Sequence, residues 1–153
     1  MKKTLIILLV MFSLFASGCS KKETEEEIIE KIEEDEIMEV HNDEMKLFIG
    51  ETEVPVVWED NDSVEELKEI CPLSIEMSMY GGFEQVGSIG QSITRNDRQT
   101  TTSYGDIVLY SGNQIVVFYG SNSWSYTRLG HIDLSQDEMS NLLSNGDVTL
   151  RIE

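Results

Sequence analysis

Strict alternation of apolar and polar positions marks residues 73–80: Leu73, Ile75, Met77 and Met79 fall on one side, Ser74, Glu76, Ser78 and Tyr80 on the other. A period of two predicts a strand with one wetted face, and residues 148–153 alternate in the same way. Two short apolar runs, 45–50 and 54–59, flank a turn at 51–53 and predict a hairpin. Pro55 offers no amide donor, which places it at an edge or a strand start. Residues 106–110 and 114–119 are apolar on both faces and flank Ser111-Gly112-Asn113, a turn of residues that tolerate positive φ. Strands apolar on both faces belong to a covered wall.

The period changes twice. Ser63 and Glu66 have capping-box spacing, and Val64, Leu67 and Ile70 recur on one face, so a helix is predicted over 64–70, stopped by Pro72. Ser135 and Glu138 repeat the spacing before Met139, Leu142 and Leu143, giving a second helix that ends before Gly146. Gly81-Gly82 is a turn, and residues 83–93 are punctuated by glycine. Residues 96–104 and 120–130 read as polar loops, the second followed by a short strand over 131–134. Seven or eight short strands with two helices set between them predict a mainly β fold: a closed antiparallel barrel with two short capping helices, rather than a doubly wound sheet.

Charge and the N-terminus change the setting of that barrel. Lys2 and Lys3 precede an apolar stretch over 5–15, broken only by Ser13, which ends in Ala16-Ser17-Gly18-Cys19. That is the form of a bacterial export signal, and it resembles a lipobox, in which the cysteine thiol takes a diacylglycerol. The stretch falls well short of the roughly 20 residues that span a bilayer. Residues 1–18 are therefore expected to be a cleaved signal and Cys19 the lipidation site, since two chains anchor a protein durably. Residues 21–44 carry three lysines and twelve acids and are expected to form an acidic tether from Cys19 to residue 44. The barrel over 45–153 would lie outside the cytoplasm, tied to the bacterial envelope through the lipid alone. The whole chain has a net charge of −18, which argues against nucleic acid as a partner, because phosphate backbones are held by Lys and Arg. With Cys19 acylated only Cys71 remains, so no internal disulfide is expected, and Cys71 reads as a small buried apolar residue.

The succession Phe83-Glu84-Gln85-Val86-Gly87, Gly105-Asp106-Ile107-Val108-Leu109-Tyr110, Val117-Phe118-Tyr119-Gly120 and Leu129-Gly130-His131-Ile132 resembles small bacterial cyclophilin-like domains. The resemblance spans about residues 45–153 and implies an eight-stranded barrel with helices over its open ends. Cyclophilins proper are peptidyl-prolyl isomerases. They lower the barrier of about 18–20 kcal/mol to rotation about an X–Pro bond with an arginine placed in an Arg, four residues, Phe, two residues, Gln pattern. Here Phe83 is followed two residues later by Gln85, and no arginine precedes it in the domain. The long glycine- and asparagine-rich loop with a Phe-Phe pair is also missing. The resemblance thus implies a barrel without the isomerase residues, and the expected role is non-catalytic binding of a peptide or small-molecule ligand. Two alternatives stand beside it: an isomerase whose arginine comes from Arg95 or Arg128, and a structural component of the envelope.

Candidate binding residues follow from exposed aromatic and polar side chains. Trp124 and Tyr126, with Asn122 and Arg128 beside them, form either a stacking platform for a peptide or, through Trp124, a plug for the barrel end. Tyr80, Phe83 and Glu84 are placed at the barrel mouth, with a core position as the other reading of Phe83. Arg95 and Arg98 flank Asp97 and either take a ligand carboxylate or pair locally. His131, the only histidine of the domain, cannot build a multi-histidine metal centre and reads as a structural hydrogen-bonding group. The acidic pairs near Asp60 and Glu65 do not match a twelve-residue calcium loop, so neither metal nor cofactor is expected.

Overall fold

The computed structural model describes residues 44–153; the expected signal, Cys19 and the tether lie outside the described residues. The chain runs β1 (Leu47–Ile49), β2 (Thr52–Val54), β3 (Val56–Trp58), α1 (Asp62–Glu69), β4 (Leu73–Tyr80), β5 (Glu84–Ser88), β6 (Arg98–Thr101), β7 (Asp106–Tyr110), β8 (Gln114–Phe118), β9 (Ser123–Ile132), α2 (Gln136–Leu143) and β10 (Val148–Ile152). The sheet order is β2-β1-β10-β4-β5-β8-β7-β9-β3, and β6 adds to β9 off this path. All pairings are antiparallel. The two outermost strands, β2 and β3, are consecutive in the chain and separated only by Pro55. The backbone itself carries the sheet from one edge to the other, which makes a nearly closed barrel, and the residue without an amide sits at the seam. Among the described residues no helix is long and apolar enough to cross a membrane.

The mainly β barrel with two helices is the expected class, with ten short strands where the resemblance implied eight. Three local readings change. The return strand of the first hairpin is Thr52–Val54, turned at Gly50 with φ of 59°, and β3 pairs with β9 instead. The N-cap of α1 is Asn61, whose side chain accepts from the Val64 amide; Ser63 donates instead to the Thr94 carbonyl. Residues 98–101 and 123–130 are strand rather than loop, joined from Arg98↔Tyr126 to Thr101↔Ser123, and β9 runs on into the start of the short strand expected from 131. The capping box on α2 is formed as the spacing predicted, with Ser135 and Glu138 reciprocally bonded.

Packing has two layers. Leu47, Ile75, Met77, Ile107, Leu109, Ile115, Val117, Leu129 and Leu150 fill the barrel with Leu67 from α1 and Met139 and Leu143 from α2. The helices thus plug the interior instead of merely covering it. A smaller cluster of Val108, Val116, Phe118 and Tyr126, with Phe83 and Val86 against it, lies on the other face of the same strands. That second layer explains why β7 and β8 are apolar on both sides. In β9 a bulge leaves Leu129 unopposed between the Ile107↔Gly130 and Val108↔Arg128 pairs, its side chain in the interior.

Candidate functional site

β5, β8, β7 and β9 form one continuous wall. Gln85, Ile107, Leu109, Ile115 and Val117 point into the barrel, so the strand period of two turns Glu84, Val86, Val108, Tyr110, Gln114, Val116 and Phe118 outward. Register sets Val86, Val116 and Val108 side by side, and Glu84 opposite Phe118. A pocket of about 340 Å³ opens on this outer face. Val86 and Val116 line its floor, and Tyr80, Tyr110, Trp124 and Tyr126 its walls. Tyr126 is fixed by edge-on contacts to Phe118 (ring centroids 5.8 Å apart) and Tyr110 (6.0 Å). Asn122 Nδ2 donates to the Tyr126 hydroxyl at 3.1 Å.

Glu84 is the exceptional group. It lines the pocket, is only 6 % exposed, and its Oε2 has no hydrogen-bond partner. Burial pushes its carboxyl above the usual carboxylate range. The Tyr126 phenol is also pushed up, first by burial and then by the neighbouring Glu84 charge, against an opposing hydrogen bond from Asn122.

Five of the residues singled out in the sequence meet here: Tyr80, Glu84, Asn122, Trp124 and Tyr126. They gather on the outer face of the wall, where β4, β5 and β9 present four of them and Asn122 stands just before β9. Trp124 is 59 % exposed and does not plug the barrel. Phe83 is half-buried under the Gly81 turn and against the outer cluster, which is the core position weighed for it. Arg95 lies elsewhere, 3.4 Å from Asp97. Arg128 is turned away onto Asp106, which it meets through both terminal nitrogens at 3.1 and 3.3 Å. The buried Asp106 also accepts from the Ser103 amide at 2.9 Å and meets His131 Nδ1 at 3.0 Å, so the histidine has the structural bond expected of it. Arg98 and Arg128 line a separate polar groove of about 660 Å³ between the Asp60–Ser63 segment and β6. Tyr110, Gln114, Val86 and Val116 complete the outer pocket and were not singled out in the sequence. Only the register of β5, β8 and β7 brings them together, though their outward phase is present in the alternation.

The unpartnered carboxyl has a consequence for stability. An unfolded glutamate titrates near 4.3, and Glu84 titrates higher when folded. Between those values the folded state binds more protons, so stability falls as pH rises through that window, and the deficit is complete above the folded value. Glu66 and Glu138 are lowered by bonds from Thr94 and Ser135 and act in the opposite sense, so the wild-type curve mixes both. The difference between wild type and Glu84→Gln isolates the group. Urea unfolding should show near equality at pH 4 and a variant more stable by roughly 1 kcal/mol at pH 7.5; a pH-independent difference would refute the assignment.

Fold and site together define a small antiparallel barrel with a concave aromatic site on its wall. The model of the cyclophilin-like family matches residues 47–153, and the chain belongs to that family. No curated protein matches it.

Proposed function

We propose that the chain is a lipid-anchored, extracytoplasmic binding protein whose cyclophilin-like barrel holds a peptide or small ligand in the outer-wall pocket. The observation that carries this reading is the pocket itself. Tyr80 and Trp124 remain 68 % and 59 % exposed on a concave surface, a combination that favours ligand contact. Rigid aromatics around a small apolar floor supply contact area at low entropic cost. What favours binding over isomerisation is the placement of the arginines. None lines the pocket, Arg128 is committed to Asp106, and Arg95 sits beside Asp97. The anchor rests on the residues around Cys19 and on the acidic stretch that follows.

The test is a titration of Trp124 emission with a library of extended peptides and small ligands. Trp58, which donates to the Met45 carbonyl at 2.9 Å, supplies a constant background. A bound ligand should shift the emission, and Trp124→Ala should weaken binding at least tenfold, about the loss of a hot-spot aromatic. Being largely exposed, Trp124 should cost less than about 0.5 kcal/mol of stability on removal. Silence across the library, or unaltered affinity in the variant, defeats the reading. A protease-coupled assay in which proline isomerisation accelerates and Arg128→Ala abolishes the effect would replace it with the enzyme. Fatty-acid labelling that is lost in Cys19→Ala tests the anchor.

A further inference from the structure

Resting on that reading of the pocket, we infer that it selects a cation: the side chain of a Lys or Arg carried by an extended polypeptide. Two independent features of the site converge on this chemistry. The first is Glu84, a pocket-lining carboxyl only 6 % exposed, with one oxygen unmatched by any donor. A buried acceptor left unpaired is costly, and the cost disappears when a ligand brings the donor. The second is the ring of Tyr80, Tyr110, Trp124 and Tyr126 around the same space. Aromatic faces attract a positive charge through their quadrupoles, most strongly where water is displaced.

The domain's own basic residues do not meet this need. Residues 45–153 contain six, and none lines the pocket. Against them stand seventeen acidic residues, so the domain presents a negative field that draws a basic segment in and repels an acidic one. A free metal cation is a poorer match, since no cluster of three or more ligating side chains occurs among the described residues. The long stem of Lys or Arg suits the apolar floor of Val86 and Val116, with the charged head reaching Glu84.

Three capped hexapeptides, identical except for a central Lys, norleucine or Glu, test this on the full chain by calorimetry and Trp124 emission. Norleucine keeps the stem of lysine and removes the charge. The Lys peptide should bind at least about tenfold more tightly than the norleucine peptide, with the Glu peptide weakest. In Glu84→Gln the Lys preference should collapse to within about twofold while norleucine binding persists. Circular dichroism of the variant reports that it is folded, and Glu84→Asp, which keeps the charge, should restore part of the preference. Lowering the pH far enough to protonate Glu84 should erase the same preference in wild type. Equal binding of Lys and norleucine, both lost in Trp124→Ala, overturns the cation inference and leaves the binding pocket standing. Failure of all three peptides to bind overturns the inference together with the peptide reading beneath it.

Discussion

Replacing Phe118 by alanine should destabilise the domain by about 3–5 kcal/mol, the usual loss for a fully buried aromatic. The ring is completely buried, yet it lies outside the barrel. It is the centre of the smaller cluster, touching Tyr126 edge-on at 5.8 Å and standing opposite Glu84 in the β5–β8 register. Truncation therefore removes packing beneath a wall of the pocket as well as apolar area from the protein. The Phe118 carbonyl accepts from the Gly105 amide at 2.8 Å, and this bond should survive because it is backbone. Phe118→Leu, which keeps most of the volume, should cost roughly 1–1.5 kcal/mol. Urea unfolding followed by far-ultraviolet dichroism measures both. The alanine variant should also lose ligand affinity, since Tyr126 would no longer be held. A loss below about 1 kcal/mol would mean that the outer cluster contributes little and that the wall is supported from the interior alone.

The legibility of this architecture differs from element to element, for physical reasons. β4, β10 and the β7–β8 hairpin were readable because each has either a clean period of two or two apolar faces around a positive-φ turn, here Ser111 and Gly112 at 54° and 79°. α2 was readable because its capping box is local chemistry, complete within four residues. β6 and the first half of β9 were not. Gln99, Thr100 and Thr101, and Ser123 to Tyr126, are polar or mixed, and their strand character comes from pairing with each other. Their cross-strand hydroxyls, such as Thr101 and Ser123 at 3.0 Å, are invisible until the register is known. The same reason divides the site. Tyr80, Trp124 and Tyr126 stand out as aromatics among serines and glycines, whereas Tyr110 and Val116 look like ordinary members of an apolar run. Asp106, at the head of that run, has its partners Arg128 and His131 more than twenty residues away, so the cluster it holds together shows only in the fold.

The substitution Gln85→Glu should be as damaging as any, at about 3–5 kcal/mol near neutral pH, although it changes hardly any volume. Gln85 points into the barrel, fully buried. Its Nε2 donates at 2.7 Å to the Leu143 carbonyl and at 2.7 Å to that of Gly146. Those are carbonyls at the end of α2 and just beyond it, where a helix has no amides left to offer them. One side chain from β5 thus ties down the C-terminus of the helix that plugs the barrel with Met139 and Leu143. A glutamate would set its carboxylate against two carbonyl oxygens at the negative end of a helix, and its protonated form could satisfy only one of them. Since the folded state would then favour the protonated acid, the variant's deficit should shrink as pH falls toward 4. Gln85→Met, which loses both donors but adds no charge, should cost about 2–3 kcal/mol at every pH. The order wild type, Met, Glu in denaturant midpoint at pH 7.5, with the two variants converging in acid, is the expected signature. A glutamate variant as stable as wild type would show instead that α2 is seated by its apolar face alone.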